Sequence, residues 1–265
     1  IKRRIKMRFS DLEKKMKSFE VYNNLYLNKD KYIILRIDGR GFSSLTKKFL
    51  SLEKPFDALM THYMIETVEH LMNNSGFDIL YGYLQSDEIS LLLSDTNKTF
   101  DGKLSKVLSI IPSEASGLLS VQLKRPVAFD CRAIELNTID DVVDYFLWRR
   151  EDAYRNCIQS YIYWQLIDEG YSGKKAQNYI KTLSYEDKLN FIDEKCKCKH
   201  YDIPEIYKYG VGLFFDTYNK IGLNPITQTT TNVERKRINF CHQIDNQEFY
   251  ANFLIHIIRN QRHNK

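Results

Sequence analysis

The sequence predicts an α+β fold: a palm-like split β-α-β-β-α-β unit over residues 1–138, then a helical second half with C-terminal strands over residues 139–265, packed together as one compact unit. Three observations carry this. Apolar, β-branched runs of strand length occur at 32–37, 77–84, 89–93 and 127–134. Helical apolar stripes separate the first run from the second and the third from the fourth. Beyond residue 139 long helical stretches take over, with strand-like runs at 210–215 and 228–240.

Taken in order, residues 11–19 have helical spacing, and Asn28-Lys29-Asp30-Lys31 signals a turn before the first strand. That strand is a near-continuous apolar run, as a buried central strand requires, and Asp38-Gly39-Arg40-Gly41 breaks it. Pro55 is expected to open the next helix at its first turn. Gln85-Ser86-Asp87-Glu88 joins the second and third strands. Pro112 is expected to interrupt the helical stripe that begins at Leu104, with 114–123 resuming it. Thr138 and Ser172 are expected N-caps of helices over 140–169 and up to Leu183. The β-α-β-β-α-β order is of ferredoxin-like type. It lays the first strand beside the following hairpin, so Asp38 and Asp87 converge on one edge, as in the palms of nucleotide polymerases and nucleotide cyclases.

The chain of 265 residues can bury a full core, and its composition is ordinary for a globular protein, with 43% hydrophobic and 28% charged residues. No apolar run is long enough to span a bilayer, so no membrane partner is expected. Net charge +5 permits a nucleic-acid partner without requiring one. Five cysteines in no regular framework fit a reduced, intracellular setting. The basic stretch 1–6 fits either an organellar leader or a basic start, which leaves mitochondrion and cytoplasm both open.

Two carboxylates from separate strands are the way a protein holds Mg²⁺ against a triphosphate. Asp38 and Asp87 are therefore the candidate ligands, with the Gly39 carbonyl as a further oxygen. The competing interpretation makes Asp38 a turn aspartate and Asp87-Glu88 a charged hairpin tip. Glu88 is a candidate catalytic acid, but neighbouring strand residues point to opposite faces, which favours a supporting role for it. The amides of 39–43 can cradle phosphate. Lys103 and Lys106 share a helix face and are candidates for the triphosphate, or else part of a solvated surface. The lysines of 174–199, with Arg235, Lys236 and Arg237, are candidates for a path along an RNA backbone. The alternation Cys196-Lys197-Cys198-Lys199-His200 departs from the spaced pairs of structural zinc sites.

Several separated motifs together resemble one family. They are Arg36-Ile37-Asp38-Gly39-Arg40-Gly41-Phe42, the run from Tyr81 to Ser90, Phe129-Asp130-Cys131-Arg132, the run from Asp144 to Asp152, and Gly210-Val211-Gly212-Leu213. In that order they are similar to tRNA-histidine guanylyltransferase-like proteins, polymerases that extend RNA in the 3′-to-5′ direction. The resemblance implies two Mg²⁺ ions held by Asp38, Gly39 and Asp87. It implies a nucleotide site at Asp38, Gly39, Arg40, Gly41, Phe42, Ser43, Ser86 and Asp87, with Lys54 as a further contact. It also implies ATP, GTP and other nucleoside triphosphates as substrates, tRNA as partner, and a homotetramer. The 5′-monophosphate of a tRNA is first activated with ATP, and the 3′-hydroxyl of an incoming nucleotide then attacks it. One departure stands out. Where the guanylyltransferases proper carry His-Ile-Asn-Asn-Leu-Tyr-Asn, this chain reads Tyr154-Arg155-Asn156-Cys157-Ile158-Gln159-Ser160. That points to the branch that repairs truncated tRNA 5′ ends against the opposite strand. The alternative is addition of G at position −1 of tRNA-His. Ser43 likewise stands where many relatives have histidine.

Overall fold

The computed structural model describes residues 8–42, 44–45, 52–94, 99–223, 230–241 and 243–263. The candidate Ser43 lies outside them. The elements are α1 (Phe9–Lys17), β1 (Tyr32–Gly39), α2 (Ala58–Asn74), β2 (Ile79–Gln85), β3 (Glu88–Leu93), α3 (Leu104–Leu123) and β4 (Phe129–Leu136). There follow α4 (Ile139–Asp168), α5 (Gly173–Thr182), α6 (Tyr185–Lys195), α7 (Glu205–Tyr209), β5 (Val211–Leu223), β6 (Thr230–Cys241) and α8 (Gln247–His263). A six-stranded sheet in the order β4-β1-β3-β2-β5-β6 has every neighbouring pair antiparallel. Its first four strands form the split unit expected from the sequence.

The pleat sorts β1 between two layers. Ile33, Leu35 and Ile37 pack with Met64, Val68 and Leu71 of α2 and with Val107, Ile111 and Ala115 of α3. Ile34 faces the other way, onto Val142 and Phe146 of α4 and Tyr250, Leu254 and Ile258 of α8. Within that second layer the Tyr81 and Tyr250 hydroxyls meet at 2.9 Å, satisfying two polar groups that burial would otherwise penalise. A smaller cluster holds the far half of α4 (Ile158, Ile162, Leu166) against α5 and α6.

The caps explain where the helices begin. Thr138 and Asp141 form a capping box at α4, which runs unbroken for 30 residues, and the Ser172 hydroxyl accepts from the Lys175 amide. The expected start at Pro55 is corrected. Asp57 accepts from the Met60 amide at 2.8 Å, and α2 begins at Ala58, because a capping carboxylate outranks a first-turn proline. Pro112 does not interrupt α3. It is buried between Ile111 and Ala115, and packing carries the helix past its missing N–H. The helix α8 has no counterpart among the expected elements, although Tyr250, Leu254 and Ile258 stand four residues apart.

Candidate active site

β1 and β2 both run antiparallel to β3, so their C-terminal ends share one end of the sheet. There Asp38 pairs with Glu88 in register, and Gln85 pairs with Glu88 across a two-residue turn, Ser86-Asp87. Ser86 adopts φ +52°, a left-handed conformation that costs a non-glycine residue energy and turns the chain sharply. The turn is fastened to β1 by the Gly39 amide donating to the Asp87 carbonyl at 3.2 Å, and the Ser86 hydroxyl donates to the Asp87 carboxylate at 3.1 Å.

Asp87 is half-buried. Burial, and then the charge of Asp38, push its carboxyl from the ordinary 3.8 up to about 6, against the pull of its hydrogen bonds. Two carboxylates that repel each other without a cation between them store free energy that a positive ion would release.

Glu88 turns the other way, as alternation requires. Arg149 of α4 grips it with a fork, Nε to Oε1 at 2.7 Å and Nη2 to Oε2 at 2.9 Å, and Arg36 stands 3.8 Å away. Burial still pushes the Glu88 carboxyl up, with Arg149 opposing. Both its oxygens are engaged by arginines, the arrangement of the supporting acid that strand alternation favours. Arg149 also donates to Asp152 at 2.9 Å, and Asp152 accepts from the Asn156 side chain at 3.2 Å. Sequence reasoning quoted Arg149 and Asp152 in a motif but gave them no role. The signal was a buried-side arginine 61 positions from an acid on a neighbouring strand.

Gly39 is required by space. A Cβ there would lie 2.5 Å from the Phe42 ring and 2.8 Å from the Asp87 carboxylate. Phe42 is buried, with its ring 5.2 Å from that of Phe129, and Gly41 takes φ +73° between them. Gly39→Ala is expected to destabilise the protein by about 1–3 kcal/mol, as other forced insertions into packed sites do. Urea unfolding measures it, and a change below about 0.5 kcal/mol would contradict the crowding.

Two clefts open from this edge. One, of about 710 Å³, runs from Asp87 and Ser86 past Lys54 to Asn156 and Trp164 of α4 and Lys181 of α5; the other, of about 210 Å³, holds Asp38, Asp87 and Asn156. The Lys54 ammonium lies 5.0 Å from the Trp164 ring centre. Arg40 is exposed, its amide tied to the Ala128 carbonyl. Lys103 and Lys106 are not brought to this edge. Leu27 N donates to Gly102 O and Leu104 N to Leu25 O, which fix the start of α3 beside the entry to β1, at the other end of the sheet. Among the described residues no group of three His, Cys, Asp or Glu side chains is placed to hold a metal ion. His200 instead pairs with Asp193 at 2.8 Å.

Tyr154, at the departure from the family motif, lies flat on Tyr209 with ring centres 5.2 Å apart, and its hydroxyl meets that of Tyr185 at 3.1 Å.

With this geometry in place, comparison with known proteins is decisive. A family profile described as tRNAHis guanylyltransferase matches residues 13–137, and one described as the Thg1 C terminal domain matches residues 140–249. The chain belongs to the tRNAHis guanylyltransferase family. It is 28% identical over 235 residues to the tRNA(His) guanylyltransferase of Debaryomyces hansenii, covering 84% of this chain and 87% of that protein. Two solved structures of a bacterial Thg1-like protein are similar throughout. The complex with ATP gives a TM-score of 0.68 at 25% identity, and the complex with GTP 0.65 at 26%, each covering 92% of this chain and 98% of the other. Among the described residues no helix of this family member is long and apolar enough to cross a membrane.

Proposed function

We propose that this Thg1-family chain is a Mg²⁺-dependent nucleotidyltransferase that adds nucleotides, in the 3′-to-5′ direction, to the 5′ end of truncated tRNA, copying the opposite strand of the acceptor stem after ATP-dependent activation of that end. The observation that carries the reading is the pair Asp38 and Asp87, which both line the smaller cleft while Asp87 also lines the larger, with burial and then Asp38 raising the Asp87 carboxyl to about 6.

The donor set suits Mg²⁺. The ion takes few protein ligands and completes its octahedron with water and phosphate, so two carboxylates and the Gly39 carbonyl suffice without a third side chain. When bound, two such ions would help deprotonate the attacking 3′-hydroxyl and would neutralise the leaving phosphate. The chain's own residues do the rest. The fork on Glu88 fixes the turn that presents Asp87. The absent side chain at Gly39 lets a triphosphate approach the backbone. Lys54, held over Trp164, supplies a positive charge within the larger cleft, and Asn156 lies where both clefts meet. The ribbon of β5 and β6 presents Arg235 and Arg237 on one face beside Tyr218, with the Arg237 guanidinium 5.4 Å from the Tyr218 ring. Such a surface suits a phosphate backbone and reads no bases.

Copying, as opposed to fixed addition of G, is supported by Tyr154. Its ring and hydroxyl are engaged by Tyr209 and Tyr185, so the helix position of the guanylyltransferase histidine is filled by a packing residue. The second reading, addition of G at position −1 of tRNA-His, is favoured by the activity in the name of the Debaryomyces relative. A tRNA lacking its first 5′ nucleotide, given ATP, Mg²⁺ and labelled nucleotides, separates them. The expected result is that the incorporated nucleotide changes with the facing base. Incorporation of G whatever base faces it would establish the second reading, and no incorporation would defeat both.

A further inference from the structure

Gln85 ends β2 at the acidic turn, lines the smaller cleft and is 7% exposed. It is the cross-strand partner of Glu88, so the two side chains share one face of the sheet. Its Nε2 donates to Glu88 Oε1 at 3.2 Å. A carboxylate gripped by an arginine fork accepts and does not donate, which fixes the amide with its nitrogen towards Glu88 and Oε1 away from it. That oxygen is buried, and among the described residues it finds no hydrogen-bond donor. A buried acceptor without a donor is costly, and native folds leave few of them. This one belongs to the wall of a cleft, two residues from Asp87, where a ligand can bring the donor.

The lining of that cleft narrows the choice of donor. Among the described residues, Asp38, Asp87, Asp152, Asn156 and Ser160 stand there with Gln85, and the cation Arg149 is already engaged by Glu88 and Asp152. Lys54 and Lys181 line the larger cleft instead. Phosphate oxygens accept and are drawn to those lysines. The smaller cleft, rich in acceptors, suits the part of a nucleotide that donates. The proposed transfer brings the attacking 3′-hydroxyl to Asp38 and Asp87. The donor on the neighbouring ribose carbon is the 2′-hydroxyl, and it accompanies the 3′-hydroxyl wherever that group is held. We propose that Gln85 is a specificity-determining residue: its Oε1 accepts a hydrogen bond from the 2′-hydroxyl of the incoming nucleotide and so selects ribonucleotides over 2′-deoxynucleotides. This rests on the nucleotidyltransferase reading. A site built to pair a substrate hydroxyl rejects the analogue lacking it, because its own polar atom is then stranded, and the 2′-hydroxyl is the group by which RNA is told from DNA. Glu88 thereby gains a second task, since it holds the Gln85 amide in the accepting orientation.

The test is addition to a tRNA transcript that lacks its first nucleotide and bears a 5′-triphosphate, so that no activation is needed. The 3′-oxygen of the incoming nucleotide loses its proton to water, bonds to the α-phosphorus and displaces pyrophosphate. GTP, 2′-deoxyGTP and 2′-deoxy-2′-fluoroGTP are compared opposite the same facing cytosine. The wild type is expected to favour GTP over both analogues by about tenfold or more in kcat/KM, since fluorine fills the place of the hydroxyl and cannot donate. Gln85→Met, of similar length but without the acceptor, is expected to bring the three within about twofold of one another, through loss with GTP alone. Equal use of GTP and 2′-deoxyGTP by the wild type, recovery with the fluoro analogue, or an unchanged preference in Gln85→Met overturns the proposal. So does an equal loss with all three nucleotides, the result that a residue serving only to brace Glu88 would give. The wild-type comparison of the three decides the matter by itself should Gln85→Met fail to fold. Equilibrium titration of the same nucleotides, followed by tryptophan fluorescence, reads the ratios without turnover. A Gln85-dependent preference there, in a protein that adds nothing to tRNA, counts against the transfer reading and upholds the assignment of Gln85; equal binding of all three by the wild type overturns it.

Discussion

Asp38→Asn and Asp87→Asn are each expected to lower nucleotide addition to tRNA on the order of 10³-fold in a protein that stays folded. The magnitude follows from losing several kcal/mol of charge stabilisation at the reacting phosphate when a carboxylate that holds a cation becomes a neutral amide. Single-turnover assays with saturating ATP measure it, and circular dichroism shows that the fold persists. Either variant at near wild-type activity would remove the carboxylate pair from the chemistry. Asp87→Asn carries a second, opposite signature. The folded-state carboxyl is raised from 3.8 to about 6, so ionised Asp87 penalises the folded state. The penalty is absent below pH 3.8, grows between pH 3.8 and 6, and is full above pH 6. Without added Mg²⁺ at pH 8, the asparagine variant should therefore be more stable than the wild type by about 1–3 kcal/mol. At pH 4 the difference should vanish. A residue kept at the cost of stability is one retained for function, and thermal melts across pH decide whether Asp87 is such a residue.

Arg149→Met is expected to cost about 3–5 kcal/mol, the usual loss when one partner of a buried pair is removed and its opposite charge is left behind. Arg149 is 5% exposed and answers both Glu88 and Asp152, so both acids lose their most buried partner together, leaving Arg36 near the one and the exposed Arg155 on the other. Urea unfolding followed by tryptophan fluorescence reports it directly, since Trp148 lies 4.5 Å from the Arg149 guanidinium. Adding Glu88→Gln should recover part of the loss, because one stranded charge is then gone. A loss under about 1 kcal/mol for Arg149→Met, or no recovery in the double variant, would show that the fork does not anchor the turn.

The sequence made legible whatever depends on neighbours along the chain. The run over 32–37 declared a central strand, Thr138 declared the start of α4, and the break at Asp38-Gly39 declared where β1 ends. Long-range pairing was legible only through topology, which placed Asp38 beside the hairpin but could not say which acid of Asp87-Glu88 faces outward. Alternation favoured Asp87, and the answer required Arg149, 61 positions away, to take up Glu88. Lys103 and Lys106 lie apart from the acidic turn because nearness in sequence is not nearness in space: β3 carries the chain to the other end of the sheet before α3 starts. Pro55 misled because a cap three residues before Met60 competes with it. The walls of the larger cleft, Trp164 and Lys181, were invisible because they meet Asp87 only once α4 and α5 have packed.

The sheet is shared in a way that ties the two halves of the chain together. β2, which ends at the acidic turn, has β3 on one side and β5 on the other, and β5 comes from beyond residue 210. One whole face of β1, β2 and β3 is roofed by α4 and α8. A gene fragment ending at Thr138 would encode the complete acidic edge and still yield a protein with an open strand border and a bare apolar slab, the two features that drive unrelated chains to stick together. Candidate catalytic residues confined to the first half thus give no licence for modular inheritance: this chain has to be made, moved and lost as one piece.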